Sequence, residues 1–216
     1  MLYDKDIREP LFEYLESNFG KIRIIEEKQM GKSRADVVMV RDGSITGIEI
    51  KSDADTYQRL ERQIQDYNRH FDFNYVVVGS SHAMHIEEHV PDWWGIITVD
   101  EGDDAKESAD FYLLRNAKEN PTVHHVYFRK RQIAFLWRME LAHIQELHEM
   151  PKYSGKSKKF IQDLIFEKVP EDILKRQITD ELFERDYNTI ADRITEYREA
   201  HSPKKKRRKR KPRVHV

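Results

Sequence analysis

The sequence contains no cysteine among its 216 residues. Disulfide bonds and thiolate metal sites are therefore excluded, and any bound metal must be held by carboxylate, imidazole, carbonyl or water ligands. No run approaches the roughly 20 apolar residues that a membrane-spanning helix requires. The first ten residues are acidic and lack the apolar centre of a secretory signal. We therefore expect an intracellular, cytoplasmic protein with no membrane partner.

The chain also lacks a large net charge, but its charge is unevenly distributed. Residues 203–213 (PKKKRRKRKPR) hold nine of the 38 basic residues and no acid. The rest of the chain has 29 basic and 39 acidic residues, a net charge of −10. Nine like charges with little to bury predict a disordered tail. It would bind nucleic-acid phosphates without reading bases, unless it only solubilises an acidic body. The predicted nucleic-acid-binding residues are Lys204, Lys205, Lys206, Arg207, Arg208, Lys209, Arg210 and Lys211.

The first 120 residues alternate between helical and extended patterns. Apolar residues at intervals of three and four predict a helix over residues 4–19, which Gly20 ends. β-branched runs and further helical segments follow. The predicted order is α β β β α β α β, with an edge strand at 111–114. We therefore predict an α/β fold, a mixed central sheet with helices on its faces.

Past about residue 121 the pattern becomes helical. The predicted helices cover residues 129–150, 156–167, 171–184 and 186–200. We predict three parts, an α/β domain at 1–120, a helical region at 121–201 and the basic tail at 202–216. The helical region is either a cap on the first domain or an addition whose lysines hold DNA phosphates.

The most informative segment is a hairpin in the first third of the chain. Asp42 and Gly43 separate two β-branched runs, which is a strong hairpin signal. With these two residues as the turn, cross-strand partners have numbers that sum to 85, and Asp36 lies opposite Glu49. Opposed Cβ atoms are roughly 4.5 to 5.5 Å apart, and two carboxylates at that distance repel without a cation. Alternation places Lys51 on the same face.

Two converging carboxylates and an ammonium group suit Mg²⁺ or Mn²⁺. Mg²⁺ uses one or two carboxylates and takes waters and phosphate oxygens as its other ligands. The ion polarises phosphorus and lowers the pKa of a bound water, while the lysine holds that water or stabilises developing charge. The pattern therefore indicates phosphodiester hydrolysis. The alternative is an exposed hairpin face with three solvated polar groups.

These residues also resemble a known family. The run RADVVMV followed by GIEIK resembles the core motif of the PD-(D/E)XK nuclease superfamily. Asp36 matches its first acid, Glu49 its second acid and Lys51 its lysine. Ala35 replaces the proline that often precedes the first acid. The resemblance implies a restriction-endonuclease-like core with the order α-β-β-β-α-β.

A second element of the resemblance lies on the following helix. The run QIQDY is similar to the Q-x-x-x-Y element of RecB-like members, and it places Gln63 and Tyr67 on one helix face to support the site. The stretch from EIKSDADTYQ to PDWWGIITV is similar to small bacterial and phage members, including MmcB-like DNA-repair proteins. Family members often add an acid from the first helix, for which Glu9, Glu13 and Glu16 are the candidates, and we choose Glu9 at the helix start.

The histidine-rich segment after the fourth strand allows another interpretation. His82, His85 and His89 have helical spacing, with Glu88 nearby, so a metal site is geometrically possible. Their order differs from the zinc-protease pattern, in which the acid directly follows the first histidine. We therefore expect a solvated helix here.

Together these patterns predict a Mg²⁺- or Mn²⁺-dependent nuclease that hydrolyses DNA. Its predicted catalytic residues are Asp36, Glu49, Lys51, Gln63 and Tyr67, and its predicted metal ligands are Asp36, Glu49 and Glu9. The alternatives are a non-catalytic nucleic-acid-binding or assembly protein with the same fold, and a nuclease for RNA or for branched or modified DNA. A bacterial source would place the protein near the nucleoid, and a phage origin fits the same resemblance. The oligomeric state, a dimer included, is left open.

Overall fold

The computed structural model describes residues 2–53, 55–102, 109–125, 127–153 and 155–186. The chain divides into two compact units, Met1–Phe183 and Glu184–Val216. All described helices and strands belong to the first unit. Residues 187–200 of the last predicted helix and the predicted basic tail lie outside the described residues. Within the described ranges, no helix has the length and apolar character needed to cross a membrane.

Six strands form one sheet in the described part of the chain. The strands are β1 (Arg23–Met30), β2 (Ser33–Arg41), β3 (Ser44–Lys51), β4 (Phe73–Gly79), β5 (Gly95–Glu101) and β6 (Ala109–Arg115). The described helices are α1 (Asp4–Phe19), α2 (Leu60–His70), α3 (Ser80–Ile86), α4 (Phe128–Gln132), α5 (Arg138–Leu147), α6 (Lys158–Lys168) and α7 (Glu171–Phe183). A 3₁₀ turn at Tyr57–Arg59 precedes α2.

The sheet is mixed, as the sequence predicts. Its strands lie side by side in chain order, β1 to β6. The first three are antiparallel, β3, β4 and β5 are parallel, and β6 returns antiparallel along β5. The α/β class, the order α-β-β-β-α-β and the edge strand are confirmed. Because β3 and β4 are parallel, their carboxyl ends meet at one edge of the sheet, where ligands bind in open α/β sheets.

The predicted hairpin register is also confirmed. Arg41 pairs with Ser44 across the turn, and the pairing continues to Val37 opposite Ile48. Gly43 has a φ of +63°, a conformation that glycine adopts without strain. All of these pairs have numbers that sum to 85, so the turn residues set which side chains share a face.

Helices bury both faces of the sheet. On one face, Ile7, Leu11 and Leu15 of α1 pack with a cluster that includes Val37 and Ile48. On the other face, α2 and the C-terminal helices share one apolar cluster with the sheet. This cluster draws residues from both sides of the predicted domain boundary near residue 121, and that boundary stays a prediction.

One predicted helix is wrong in its extent. The predicted helix 129–150 is interrupted, because α4 ends at Gln132, a 3₁₀ turn covers Ile133–Phe135, and α5 begins at Arg138. The backbone N–H of Trp137 donates to Glu140 Oε2 at 2.6 Å, which caps the new helix start. The break lets the intervening apolar side chains enter the core.

Candidate active site

The candidate site lies at the carboxyl ends of two parallel strands. Glu49 and Lys51 are in the last residues of β3, beside Val76 and Val78 of β4. Helix α2 packs over this end and carries two of the predicted site residues. The structure brings Asp36, Glu49, Lys51, Gln63 and Tyr67 together.

Glu49 is the centre of the cluster. Its side chain is 1% exposed, and an isolated carboxylate there would be costly. Its Oε1 accepts from Lys51 Nζ at 2.7 Å and from Gln63 Nε2 at 2.5 Å, and its Oε2 accepts from the Tyr67 hydroxyl at 2.8 Å. Lys51 Nζ also donates to Gln63 Oε1 at 3.1 Å. The amide of Gln63 therefore bridges the ammonium and carboxylate groups and fixes their relative position.

Tyr67 ties α2 to both strands of the hairpin. Its hydroxyl has one proton, which can go to Glu49 Oε2 or to the carbonyl of Ile48 at 3.1 Å. The same oxygen accepts from the backbone N–H of Asp36 at 3.3 Å. Burial, reinforced by the charges of Glu49 and Asp36, raises the pKa of Tyr67 well above its usual value. The hydroxyl therefore stays protonated and acts as a fixed donor.

Asp36 lies where β2 and β3 separate. The paired register ends at Val37 and Ile48, and beyond it the backbone N–H of Ile50 donates to Asp36 Oδ2 at 2.9 Å. Burial raises the pKa of Asp36 to about 7, and the neighbouring charge of Glu49 adds to the shift. The two acids thus interact electrostatically, as their predicted opposition requires.

Two residues of the first helix other than the predicted Glu9 interact with Asp36. Glu9 is exposed, and its part in metal binding stays a prediction. Arg8 Nη1 donates to the carbonyl of Asp36 at 3.2 Å, and its Nη2 binds Asp4 at 2.8 Å. The charge of Asp4 also raises the pKa of Asp36. Asp4 and Arg8 thus act on Asp36 through charge and a hydrogen bond, and no sequence pattern points to them.

The donor set fits a hard divalent cation. Two carboxylates lie beside a single ammonium group, and burial, together with the charge of Glu49, raises the pKa of Asp36. Among the described residues, no group of three or more histidine, aspartate or glutamate side chains is clustered for metal binding. A cation at this pair would therefore complete its ligands with waters, substrate oxygens or backbone carbonyls, as Mg²⁺ does.

Gly47 positions the helix that carries Gln63 and Tyr67. A Cβ at this residue would lie 2.2 Å from Cδ2 of Phe71 and 2.7 Å from Cδ1 of Tyr67. The two rings therefore pack directly on the backbone of β3, opposite Val38. The sequence predicts Gly47 opposite Val38, but not the rings that fill the space.

Two other predicted features have different outcomes. His82 and His89 both contact the ring of Tyr57, and His89 is exposed, as expected for a solvated segment. His85 is exposed and pairs with Glu88 at 3.6 Å. The predicted basic nucleic-acid-binding residues lie outside the described part of the chain.

A second buried carboxylate lies at the amino ends of the same strands. Asp72 is fully buried, and its Oδ2 accepts from the backbone N–H of Ile45 and from Gln132 Nε2, both at 2.9 Å. Its Oδ1 accepts from Arg129 Nη1 at 2.7 Å. Lys175 Nζ lies 3.9 Å from the same oxygen. This network joins the sheet to α4 and α7, and no sequence pattern indicates it.

A mixed sheet with two acids and a lysine clustered at the carboxyl ends of its parallel strands defines the chain as an α/β protein with a candidate functional site at that edge. A family model described as bacteriophage P4 protein cII matches residues 2–208. The chain therefore belongs to this family.

Comparison with solved structures gives one weak neighbour, SfsA of Pyrococcus furiosus in complex with Ca²⁺. The identity is 14% and the TM-score 0.33, with 50% of this chain and 60% of that chain covered. The chain thus spans less than two thirds of that structure, and a likeness at this level supports no conclusion about function. A search of curated proteins finds no match.

Proposed function

We propose that the chain is a metal-dependent nuclease of PD-(D/E)XK type that hydrolyses phosphodiester bonds of DNA. The observation that carries the proposal is the convergence of Asp36, Glu49 and Lys51, with Gln63 bridging the last two. The sequence motif and the hydrogen-bonded cluster agree on the same side chains. A phage origin fits the family to which the chain belongs.

The protein groups have distinct tasks in this proposal. Asp36 and Glu49 would hold Mg²⁺ or Mn²⁺, which when bound would supply positive charge to the phosphate and acidify a water. Lys51 would orient the attacking water or stabilise charge on the phosphate oxygens. Gln63 and Tyr67 hold Lys51 and Glu49 in place, which reduces the reorganisation needed during reaction.

Glu49 retains capacity for a cation. A carboxylate offers about four lone-pair sites, and the described contacts use three of them. Its remaining site lies on Oε2, the oxygen that Tyr67 also contacts. Asp36 uses Oδ2 for the N–H of Ile50, which leaves Oδ1 for a ligand. Both acids can therefore bind a cation without breaking the hydrogen bonds that position them.

The test is a cleavage panel of single-stranded, double-stranded and branched DNA and RNA with Mg²⁺ or Mn²⁺. Asp36→Asn, Glu49→Gln and Lys51→Ala should each lower the cleavage rate at least about a hundredfold, since each removes a group that acts on the reacting phosphate or its water. Glu61→Gln, an exposed substitution on α2, is the matched control and should cut like the parent. Thermal unfolding of each variant separates lost chemistry from lost folding.

The same cleavage panel tests which acid of α1 is the third metal ligand. Glu9→Gln should lower cleavage if Glu9 is the third ligand, whereas Asp4→Asn should do so if the acid nearer to Asp36 has that role. A folded Lys51→Ala variant that cuts as fast as the parent would refute the proposed mechanism.

The second candidate is a nucleic-acid-binding protein that does not cleave. The buried pair of Lys51 and Glu49 favours it, because an ion pair 7% and 1% exposed also serves to hold β3 under α2. Salt-sensitive DNA binding by a folded parent that cuts no substrate with either cation would select this function.

A further inference from the structure

A stack of aromatic rings lies on the same edge of the sheet as the carboxylate pair. The rings of Tyr57 and His89 are 4.2 Å apart between centroids with an interplanar angle of 28°. The ring of His82 meets Tyr57 nearly edge-on at 5.3 Å and 73°. The Tyr57 hydroxyl also donates to the carbonyl of His82 at 3.5 Å. The proposed hydrolysis uses none of these three rings.

The chain topology places this stack close to the site. Tyr57 precedes Gln63 by about 10 Å along the 3₁₀ turn and α2. His82 lies in α3, which begins where β4 ends, and Val78 near that end is the neighbour of Lys51. The distance from the rings to the carboxylate pair thus corresponds to a few nucleotides of a strand.

The stack is partly exposed to solvent. Tyr57 is half-buried, whereas His89 is exposed. One face of the His89 ring lies against Tyr57, and the exposed part of this ring is the surface on which a third flat ring could pack. On α3, the same helix that carries His82, Met84 is 84% exposed, which is unusual for a large apolar side chain. An arrangement that served only to pack α3 would bury these groups more completely.

We propose that the stack of Tyr57 and His89 binds an unpaired nucleobase of the strand whose phosphate enters the carboxylate site. The inference rests on the proposed function, because the bound base belongs to the same strand whose phosphate lies at the carboxylate site. Stacking on an aromatic face is tolerant of sequence, since every base has a π-face. A closed duplex cannot offer such a base, and the surface therefore selects single strands or frayed ends.

The test uses the full-length chain with Lys51→Ala in Mg²⁺, so that the strand stays intact. The probes are single-stranded DNAs of roughly 12 nucleotides, within the range of single-strand sites, with one 2-aminopurine at successive positions. Salt at about 0.2 M weakens contacts made only to phosphates. We expect fluorescence quenching at one or two adjacent positions, because only a base on the stack is quenched.

Variants separate stacking from other contributions. His89→Ala should weaken single-strand binding about tenfold and abolish the quenching, while binding of a blunt duplex stays unchanged. Tyr57→Phe should bind like the parent because it keeps the ring. His85→Ala is the matched control on the same segment and should have no effect. Thermal unfolding checks that each variant folds. The test uses His89→Ala rather than Tyr57→Ala, because His89 is exposed and its substitution should not disturb folding.

Equal binding by His89→Ala and His85→Ala with no position-specific quenching would overturn the proposal. Cleavage by the parent is measured separately. Quenching without cleavage supports the base site and refutes the hydrolysis, whereas cleavage without quenching refutes the base site alone.

Discussion

The two ends of β3 and β4 each bury a carboxylate, but they balance its charge differently. At the amino ends, Asp72 faces the permanent cation of Arg129, and its oxygens accept from a backbone N–H and an amide. At the carboxyl ends, about 13 Å away along β3, Lys51 pairs with Glu49, while the Arg8 guanidinium beside Asp36 is itself bound to Asp4.

This difference separates a structural network from a candidate site. A buried acid with a matched cation and hydrogen bonds needs nothing further. At the other end Glu49 is buried and Asp36 is half-buried, and burial together with the neighbouring charge of Glu49 raises the pKa of Asp36. Clusters of this kind are common at sites where a protein binds a ligand or substrate. Substitutions at the amino ends and at the carboxyl ends of β3 and β4 therefore test the two roles separately.

The largest effect on stability is expected at the balanced end. Arg129→Ala leaves Asp72 buried without its main cation and should lower the free energy of unfolding by about 3 to 5 kcal/mol. Urea unfolding measures this change. Lys130→Ala is the control, since its pair with Asp163 lies at the solvent-exposed surface and should change the free energy of unfolding far less. Similar values for both variants would contradict the contrast.

At the carboxyl ends of β3 and β4 we expect a substitution to raise the free energy of unfolding instead of lowering it. Asp36→Asn should raise the free energy of unfolding at pH 8 in chelator, by up to about 4 kcal/mol for a pKa shift of roughly three units. Folding holds the proton on Asp36 up to about pH 7, whereas the unfolded chain releases it near 3.8. The parent therefore loses stability as the pH rises from 4 to 7, by about 1.4 kcal/mol per unit.

Unfolding curves at pH 5, 6 and 8 check this slope. The gain from Asp36→Asn should grow with pH and level off above 7, since asparagine does not titrate. A gain that is constant across these pH values would mean that Asp36 has an ordinary pKa. The same variant is expected to be inactive in cleavage, which makes it a stabilising change that removes the proposed function.

Protons should compete with the metal at the same carboxyl. If Asp36 holds Mn²⁺ or Mg²⁺, the affinity should fall about tenfold per pH unit below 7, because the proton must leave before the ion binds. Calorimetric titration of the parent between pH 5.5 and 8 measures this dependence. Asp72→Asn is the comparison at the other end and should keep the parent's profile. An affinity that does not change over this range would exclude Asp36 as a ligand.

The sequence predicts local geometry better than distant contacts. The turn at Asp42 and Gly43 sets the register, and alternation then fixes the shared face of Glu49 and Lys51. Those relations act over a few residues. The contact of Arg129 with Asp72 spans 57 positions and depends on how α4 packs on the finished sheet. A pattern in one segment carries no information about such a partner.

In the candidate site, too, the sequence predicts the local relations but not the distant contacts. Gln63 and Tyr67 follow from helical spacing and the family resemblance. Arg8 and Asp4 do not, since their approach to Asp36 depends on the angle at which α1 crosses the sheet. The extended break at Leu136 in the predicted long helix is a tertiary effect as well, because helical periodicity continues through it.

The smallest effect is expected from the hydroxyl that links the two acids. Tyr67→Phe keeps the ring against Phe71 and Trp94 but removes the donor to Glu49 and the acceptor for the N–H of Asp36. Glu49 still has Lys51, so the loss in free energy of unfolding should be about 1 kcal/mol. Amide exchange of Asp36 should accelerate in the variant, which a loss of ring packing alone would not cause. A loss as large as that of Arg129→Ala would mean that the carboxyl ends also hold the fold together, and that the excess acid there is structural.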